Sequence, residues 1–290
     1  MIRKILYFFA LIFACFSFFS CYGSWNFFYE GNDVDYRTEK LTDLSLDADF
    51  AASGIANLGT SGSTSYTVLV ITDTHFGYAL TDFPYSKIYA YLDRLKAANN
   101  LPKFALSLGD STDVGSQSEF DEYDSFCRKL KTEYNIPLIF NAAGNHDLYQ
   151  GHWDNWKSHC WPHTSFYKFQ TNGFSWYCLD TASGTLGKSQ YEKFVNALKN
   201  DSNPKIVFSH YPFSYYNLAF GLGDTTERNL LLYQFAKNNV KCCLGGHNHS
   251  YNYNYLGFHS YALASARFNE AWYLLKIDEA AGTAVVERVN

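Results

Sequence analysis

The chain has 290 residues, and its 23 lysines and arginines against 28 aspartates and glutamates give a formal net charge of −5. Its length suits one large domain or two small ones. An acidic protein without a basic run is a poor candidate for broad nucleic-acid binding, whereas small phosphorylated substrates remain compatible with it.

The first 21 residues have the pattern of a lipoprotein export signal. Two basic residues precede an apolar run over residues 5–19 that is too short to span a bilayer comfortably. The residues before Cys21 resemble a bacterial lipobox, although Phe18 stands where leucine is usual, and Cys15 is a second candidate for processing. We expect cleavage directly before Cys21 and acylation of Cys21 as the new N-terminus, which would attach an exported protein to the periplasmic or cell-surface face of a membrane. An uncleaved N-terminal anchor is the alternative.

Residues 22–64 differ in composition from the rest of the chain. They begin with an acidic, weakly periodic stretch and continue with "AASGIANLGTSGSTS", which is rich in Gly, Ser and Ala. This composition predicts an N-terminal extension that acts as a tether or loop. The alternative is a segment that packs along the domain.

From Tyr66 onward, short apolar runs alternate with longer amphipathic stretches. Runs such as "YTVLVITD", "KFALSLGD" and "KIVFSHYP" predict strands buried on both faces, and stretches such as "YSKIYAYLDRLKAANN" predict helices. The last three runs have no helix between them, and "DEAAGT" predicts a hairpin turn. The pattern predicts one α/β domain over residues 65–290 with added antiparallel strands.

The cysteines do not suggest a disulfide framework. Apart from Cys15 and Cys21 there are five, an odd number, and they lack the CxxC spacing of a zinc knuckle. The adjacent Cys242 and Cys243 are expected to be small core residues. A bridge between Cys160 and Cys178 remains open for an exported protein.

Polar motifs follow the predicted strands, where ligands gather in open α/β sheets. Each motif taken alone has an ordinary explanation, such as a helix N-cap, an Asx-turn or a loop histidine. Together they hold five of the nine histidines, which indicates a functional site. The motifs are "DTH" (73–75), "GDSTD" (109–113), "GNHD" (144–147), "SHYP" (209–212) and "GGHNH" (245–249).

The last motif places two histidines on either side of one asparagine. If this segment is extended, the side chains of His247 and His249 project to the same side. We expect Gly245 and Gly246 to let the backbone turn tightly beneath them.

This ordered set of motifs resembles the calcineurin-like metallophosphoesterases over residues 66–290. The resemblance implies a two-sheet β-sandwich flanked by α-helices, with a dinuclear metal site at the carboxyl ends of the strands. The ligands that it implies are Asp73, His75 and His249 for one ion, Asn145, His210 and His247 for the other, and Asp110 as the bridge. It also implies that His146 faces the phosphate without binding metal, and that Asp113 orients His146.

Two divalent ions can clamp a phosphoryl group during displacement at phosphorus. Asp110 and a shared hydroxide would offset the repulsion between the ions. Two divalent ions together with Asp73, Asp110 and the hydroxide carry a formal net charge of about +1, which can attract a phosphate anion. Asn145 is neutral and therefore does not cancel this charge. A ligand set of imidazole, carboxylate and amide groups suits Mn, Fe or Zn.

The expected function is hydrolysis of small phosphomonoesters or phosphodiesters by a metal-bridging hydroxide, outside the cytoplasmic membrane. Aromatic residues within 148–169 and 211–227 either stack a base or sugar of the substrate or cover the sheet edge. The alternative function is a non-catalytic metal-binding surface lipoprotein for adhesion or partner binding. The intact His146 and Asp113 argue against it, because a structural metal site needs neither.

Overall fold

A computed structural model describes residues 33–60, 62–214, 222 and 225–289. The expected export signal, with Cys15 and Cys21, lies outside these residues, as does part of the 211–227 loop. Within the described ranges, no helix combines the length and the apolar character needed to cross a bilayer.

The described residues form both strands and helices. The strands are β1 (Thr42–Asp43), β2 (Ser65–Ile71), β3 (Ala105–Ser107), β4 (Ile139–Asn141), β5 (Tyr167–Gln170), β6 (Ser175–Cys178), β7 (Lys205–Phe208), β8 (Val240–Gly245), β9 (Asn252–Tyr255), β10 (His259–Ala262), β11 (Tyr273–Asp278) and β12 (Thr283–Arg288). The α-helices are α1 (Val34–Arg37), α2 (Ala48–Ser53), α3 (Tyr85–Ala97), α4 (Gln117–Tyr134), α5 (Trp153–His159), α6 (Gly187–Lys199) and α7 (Thr225–Lys237).

Two sheets pack face to face. One has the strand order β1-β5-β6-β7-β8-β10-β9, and the other has the order β12-β11-β2-β3-β4. Strands β2, β3 and β4 are parallel neighbours, as are β6, β7 and β8. At the C-terminus, β11 and β12 form the predicted antiparallel hairpin.

Aromatic side chains fill the space between the sheets. The rings of Phe140 and Phe169 stack with centroids 3.9 Å apart, and Trp176 stacks on Phe169 at 5.4 Å. Helices α3 and α4 cover the outer face of the five-stranded sheet, and α6 and α7 cover that of the seven-stranded sheet. Strands covered on both faces need apolar residues throughout, which explains their unbroken apolar runs. The predicted two-sheet sandwich flanked by helices is confirmed.

The structure differs from the tether interpretation of residues 22–64 wherever it describes that segment. Strand β1 pairs in parallel with β5, and Leu44, Phe50 and Ile55 are buried in the core between the sheets. Residues 34–57 therefore pack along the domain, because their sparse apolar side chains are spaced to reach that core.

A buried ion pair fastens helix α1 to the domain. The guanidinium of Arg37 donates from Nε to Asp180 Oδ2 at 2.7 Å and from Nη2 to Asp180 Oδ1 at 3.0 Å, with both side chains fully buried. Burial alone would raise the pKa of Asp180, but Arg37 outweighs it and lowers that pKa. Asp180 lies just beyond β6, so the pair joins α1 to the strand ends.

The loop over residues 148–169 contains a helix that sequence patterning did not predict. In α5, Trp153 and Trp156 stack with centroids 5.1 Å apart, and both are buried in the cluster beneath α4. These two tryptophans are therefore core residues, which leaves them unable to stack a substrate. Within the described chain, Cys127, Cys160, Cys178, Cys242 and Cys243 are all free thiols, so the suggested Cys160–Cys178 bridge does not form.

Candidate metal centre

The five polar motifs meet at one edge of the sandwich. The first three follow β2, β3 and β4, which are neighbours in one sheet, and the other two follow β7 and β8, which are neighbours in the other. Parallel neighbours end at the same edge, so residues far apart in the chain come together there.

Two groups of possible metal ligands share one carboxylate. We call Asp73, His75, Asp110 and His249 the first cluster, and Asp110, His210, His247 and Asn145 the second cluster. The ligand atoms of the first cluster lie within 4.8 Å of one another, as do those of Asp110, His210 and His247. Asn145 joins the second cluster because its Oδ1 lies 3.1 Å from His210 Nε2.

The imidazole nitrogens of each cluster face one another at short range. Nε2 of His75 lies 3.2 Å from Nε2 of His249, and Nε2 of His210 lies 3.1 Å from Nδ1 of His247. His210 uses its other nitrogen, Nδ1, to donate to the carbonyl oxygen of Leu108 at 2.8 Å. This contact holds the tautomer whose Nε2 lone pair points into the cluster, an arrangement typical of metal-binding histidines.

The buried carboxylates attract positive charge. Burial raises the pKa of Asp110, but His210 outweighs that effect and the pKa falls below its usual range. Burial likewise lowers the pKa of His210, yet Asp110 raises it to about 9. His247 behaves differently, since burial and the neighbouring His210 lower its pKa to about 3. Imidazoles facing buried carboxylates fit divalent cations, which need such nitrogen and oxygen donors.

The backbone is left-handed at most of these positions. The φ angles are 53° at Asp73, 41° at His75, 50° at Asp110, 71° at His247 and 50° at His249. Such angles are uncommon outside glycine and cluster at functional sites. The segment with His247 and His249 is therefore bent, so the condition of an extended segment is not met. Hydrogen bonds hold the bends, including one from His247 N–H to the Asp73 carboxylate at 3.1 Å.

The glycines of two motifs lie where neighbouring groups come too close for a side chain. A Cβ atom on Gly246 would lie 1.9 Å from Thr72 Oγ1, and one on Gly144 would lie 2.1 Å from the backbone nitrogen of Asp110. Gly245 would meet Pro212 Cα at 2.6 Å. The tight turn that we expected at Gly245 and Gly246 lies instead at the histidines that follow, which have the positive φ angles.

His146 lies beside the first cluster, with its ring centroid 4.6 Å from that of His75. Its Nδ1 donates to the backbone carbonyl oxygen of Asp113 at 2.6 Å. The Asp113 carboxylate is 3.8 Å from that nitrogen and only 3.3 Å from Nδ1 of His75. The contact that orients His146 thus comes from the main chain of Asp113, the residue to which the family resemblance assigns this role.

Asp147 is a buried site residue for which the sequence analysis assigns no role. Its carboxylate accepts hydrogen bonds from N–H and Oγ1 of Thr112 and from Gly144 N–H, all at 3.0 Å. Burial and the charge of Asp110 raise the pKa of Asp147 to about 7. These hydrogen bonds connect the second motif to the third. The position of Asp147 at the end of "GNHD" could have indicated this role.

Aromatic rings lie against several of the histidines. Tyr211 stacks on His247 with centroids 3.8 Å apart, and its N–H donates to Thr181 Oγ1 next to the Arg37–Asp180 pair. Phe268, which follows β10, stacks on His249 at 4.9 Å. Sequence reasoning missed Phe268, because no polar motif surrounds it.

The model of the calcineurin-like phosphoesterase family matches residues 66–251, more than half of the chain. The chain belongs to this family. No curated protein sequence matches it. Because the family is metal-dependent and the chain brings its His and Asp ligands together, the protein is a metal-dependent phosphoesterase of the calcineurin-like family.

Solved structures of two phosphatases share the fold. A dimetal phosphatase from Danio rerio superposes with a TM-score of 0.56 at 11% identity, covering 76% of this chain and 98% of its own. A purple acid phosphatase from yellow lupin seeds has a TM-score of 0.57 at 13% identity, covering 78% of this chain and 52% of its own. The chain thus spans about half of the lupin enzyme. At these identities the likeness shows the fold alone, and the buried His and Asp cluster is consistent with a dinuclear site typical of the family.

Proposed function

We propose that this phosphoesterase hydrolyses small phosphomonoesters or phosphodiesters outside the cytoplasmic membrane, where acylated Cys21 attaches it to the periplasmic or cell-surface face of a membrane. The chemical part of the proposal rests on one observation: Asp110 belongs to both donor clusters. A carboxylate shared in this way offsets the repulsion between two adjacent cations. The location rests on the export pattern of residues 1–21, and the acidic composition argues against broad nucleic-acid binding.

The first cluster would hold one ion through Asp73, His75 and His249, and the second would hold the other through Asn145, His210 and His247, with Asp110 common to both. The donors are nitrogen and oxygen, so Mn, Fe or Zn would suit the site. Bound there, two such ions supply positive charge for the phosphoryl oxygens and an activated water.

The chain itself supplies a proton donor for the leaving group. Because Nδ1 of His146 keeps its proton to donate to Asp113 O, Nε2 is the nitrogen that can deliver a proton to the leaving oxygen. His146 is partly exposed beside the first cluster, where a substrate can reach it. A non-catalytic metal-binding lipoprotein would need no such histidine, and no observation favours that alternative.

The reaction is tested with p-nitrophenyl phosphate and bis(p-nitrophenyl) phosphate. Residues 22–290 are assayed after loading with Mn, Fe, Zn or Co, with and without a chelator. We expect turnover of one or both esters that the chelator abolishes and added metal restores. Failure to hydrolyse either ester with any of the four metals would contradict the proposed reaction.

The location is tested by fractionating cells that express the full chain. Cys21→Ser should release the protein from the membrane fraction or block its maturation, whereas the matched variant Cys15→Ser should fractionate as wild type does. A wild-type protein that is already soluble and whose first residue is not Cys21 would refute the lipid anchor.

A further inference from the structure

Four rings form a row across the metal centre. In order they are Phe268, His75, His146 and Tyr149, with successive centroids 5.2, 4.6 and 4.4 Å apart. The two outer rings are open to solvent, since Phe268 is 38% exposed and Tyr149 is 41% exposed. A phosphate bound at the clusters therefore has an exposed aromatic ring on either side.

Both outer rings are held in place by the site. Phe268 lies nearly parallel to the His249 ring, at 25°, and meets the edge of Tyr78 at 5.0 Å. The hydroxyl of Tyr149 accepts a hydrogen bond from Nδ2 of Asn145 at 3.1 Å. A ring that is already ordered loses little freedom when it binds a second ring.

We propose that Phe268 and Tyr149 are specificity residues that bind a planar ring in the alcohol part of the phosphoester. This inference rests on the proposed function. With the phosphate beside the imidazoles of His75 and His146, the alcohol extends over one of the two outer rings. An aryl or heterocyclic group can stack there, whereas a small aliphatic alcohol gains no such contact.

The cation next to Phe268 does not turn toward the substrate. Arg267 donates from Nε to the carbonyl oxygen of Thr74 at 2.7 Å and from Nη1 to that of Thr81. Its guanidinium is thereby engaged with the main chain. The surface that Phe268 presents is accordingly apolar, which suits a neutral ring better than a further phosphate group.

The experiment compares three esters on the manganese-loaded protein: phenyl phosphate, a nucleoside monophosphate and glycerol phosphate, each also as its methyl diester. In Phe268→Leu or Tyr149→Leu, kcat/KM for a ring-bearing ester should fall about threefold to tenfold more than for glycerol phosphate, the span expected for one lost stacking contact. Comparison of phenyl phosphate with the nucleoside monophosphate shows whether the substrate ring is bonded directly to the ester oxygen or separated from it by a sugar. Tyr233→Leu removes an aromatic side chain on α7 that is 58% exposed, and serves as the matched control.

Equal losses across all three esters in both variants would overturn the inference, while turnover of glycerol phosphate would leave the proposed function intact. A readout independent of turnover is calorimetric binding of phenylphosphonate and methylphosphonate to the same manganese-loaded proteins. Wild type should bind phenylphosphonate more tightly, and Phe268→Leu or Tyr149→Leu should narrow the difference. Equal affinities of the wild-type protein for phenylphosphonate and methylphosphonate would also contradict the inference, even if no ester were hydrolysed.

Discussion

The two donor clusters share Asp110 but differ in charge. The first contains two carboxylates, Asp73 and the shared Asp110. The second contains only the shared carboxylate, and its remaining oxygen ligand is the neutral amide of Asn145. The extra carboxylate should make the first cluster bind its cation more tightly. With a cation in each cluster, the second would keep more positive charge for the substrate, so the unequal ligands would divide the tasks of holding metal and attracting phosphate.

The clusters differ in backbone support as well. All four residues of the first cluster have positive φ angles, whereas in the second only Asp110 and His247 do. His210 is fixed by the carbonyl oxygen of Leu108, but His75 Nδ1 makes no hydrogen bond of good geometry despite the nearby Asp113. The cluster with more negative charge is thus also the more strained, and a bound cation would offset both costs.

The largest effect is expected where the clusters overlap. Asp110→Asn removes the carboxylate that both clusters share, so the variant should lose metal from both clusters and nearly all activity. Elemental analysis and an assay with the preferred ester measure the two losses, with the exposed carboxylate variant Asp49→Asn as control. Two full equivalents of metal in purified Asp110→Asn would contradict the shared role.

His146 tests whether a residue beside the first cluster acts on the substrate without binding metal. His146→Ala should keep metal content near wild type while the rate falls by about 10²–10⁴-fold. Esters of poor leaving groups should suffer more than activated aryl esters, because a good leaving group needs no proton.

A leaving-group series on wild type and His146→Ala measures this difference. His259→Ala, at the far end of β10, controls for loss of a histidine. A uniform loss would remove the proton-donor role, and loss of metal would place His146 among the ligands.

Asn145→Asp should make the two clusters alike in charge. The added carboxylate should tighten the second metal position, yet it cancels the charge that attracts phosphate. KM should therefore rise by at least about tenfold, since a unit charge about 4 Å away is worth about 4 kcal/mol at an effective dielectric of about 20, and a tenfold change needs only about 1.4 kcal/mol. Chelator competition and steady-state kinetics measure the two effects, with Asn172→Asp as a remote control. A lower KM would show that the neutral amide does not serve phosphate binding.

The smallest effect is expected at Asp113. Its carboxylate lies nearer His75 than His146, so Asp113→Asn should weaken metal binding at the first cluster by about tenfold. The backbone contact to His146 is retained, and the leaving-group dependence should stay as in wild type. If Asp113→Asn instead reproduces the pattern of His146→Ala, the carboxylate acts through His146, as the family resemblance implied.

The residues that meet at the strand ends were predictable because their signals are local. Each motif directly follows an apolar run, and parallel strands that are neighbours in a sheet end at one edge. The same rule does not reveal the left-handed backbone at His247 and His249, because the bend depends on contacts with Asp73 and Thr72, more than 170 residues earlier.

The remaining features arise only in three dimensions. Arg37 and Asp180 are 143 residues apart, and nothing in either local pattern predicts their pairing. Phe268 acquires its position by stacking on His249, which a lone phenylalanine in a loop does not indicate. The sequence left open whether the tryptophans of α5 bind substrate or pack inside the fold, because aromatic composition does not distinguish a binding loop from a buried helix.

If Cys21 is acylated as proposed, the docking of α1 by Arg37 limits how far the domain can lie from the membrane. If all of residues 22–64 were an extended linker, the domain could lie up to roughly 150 Å from an acylated Cys21. Because the packed chain begins at about residue 34, the span from Cys21 is at most roughly 40 Å. An enzyme so anchored would work in a thin layer above the bilayer, and would meet esters released at or held near that surface before those in the bulk.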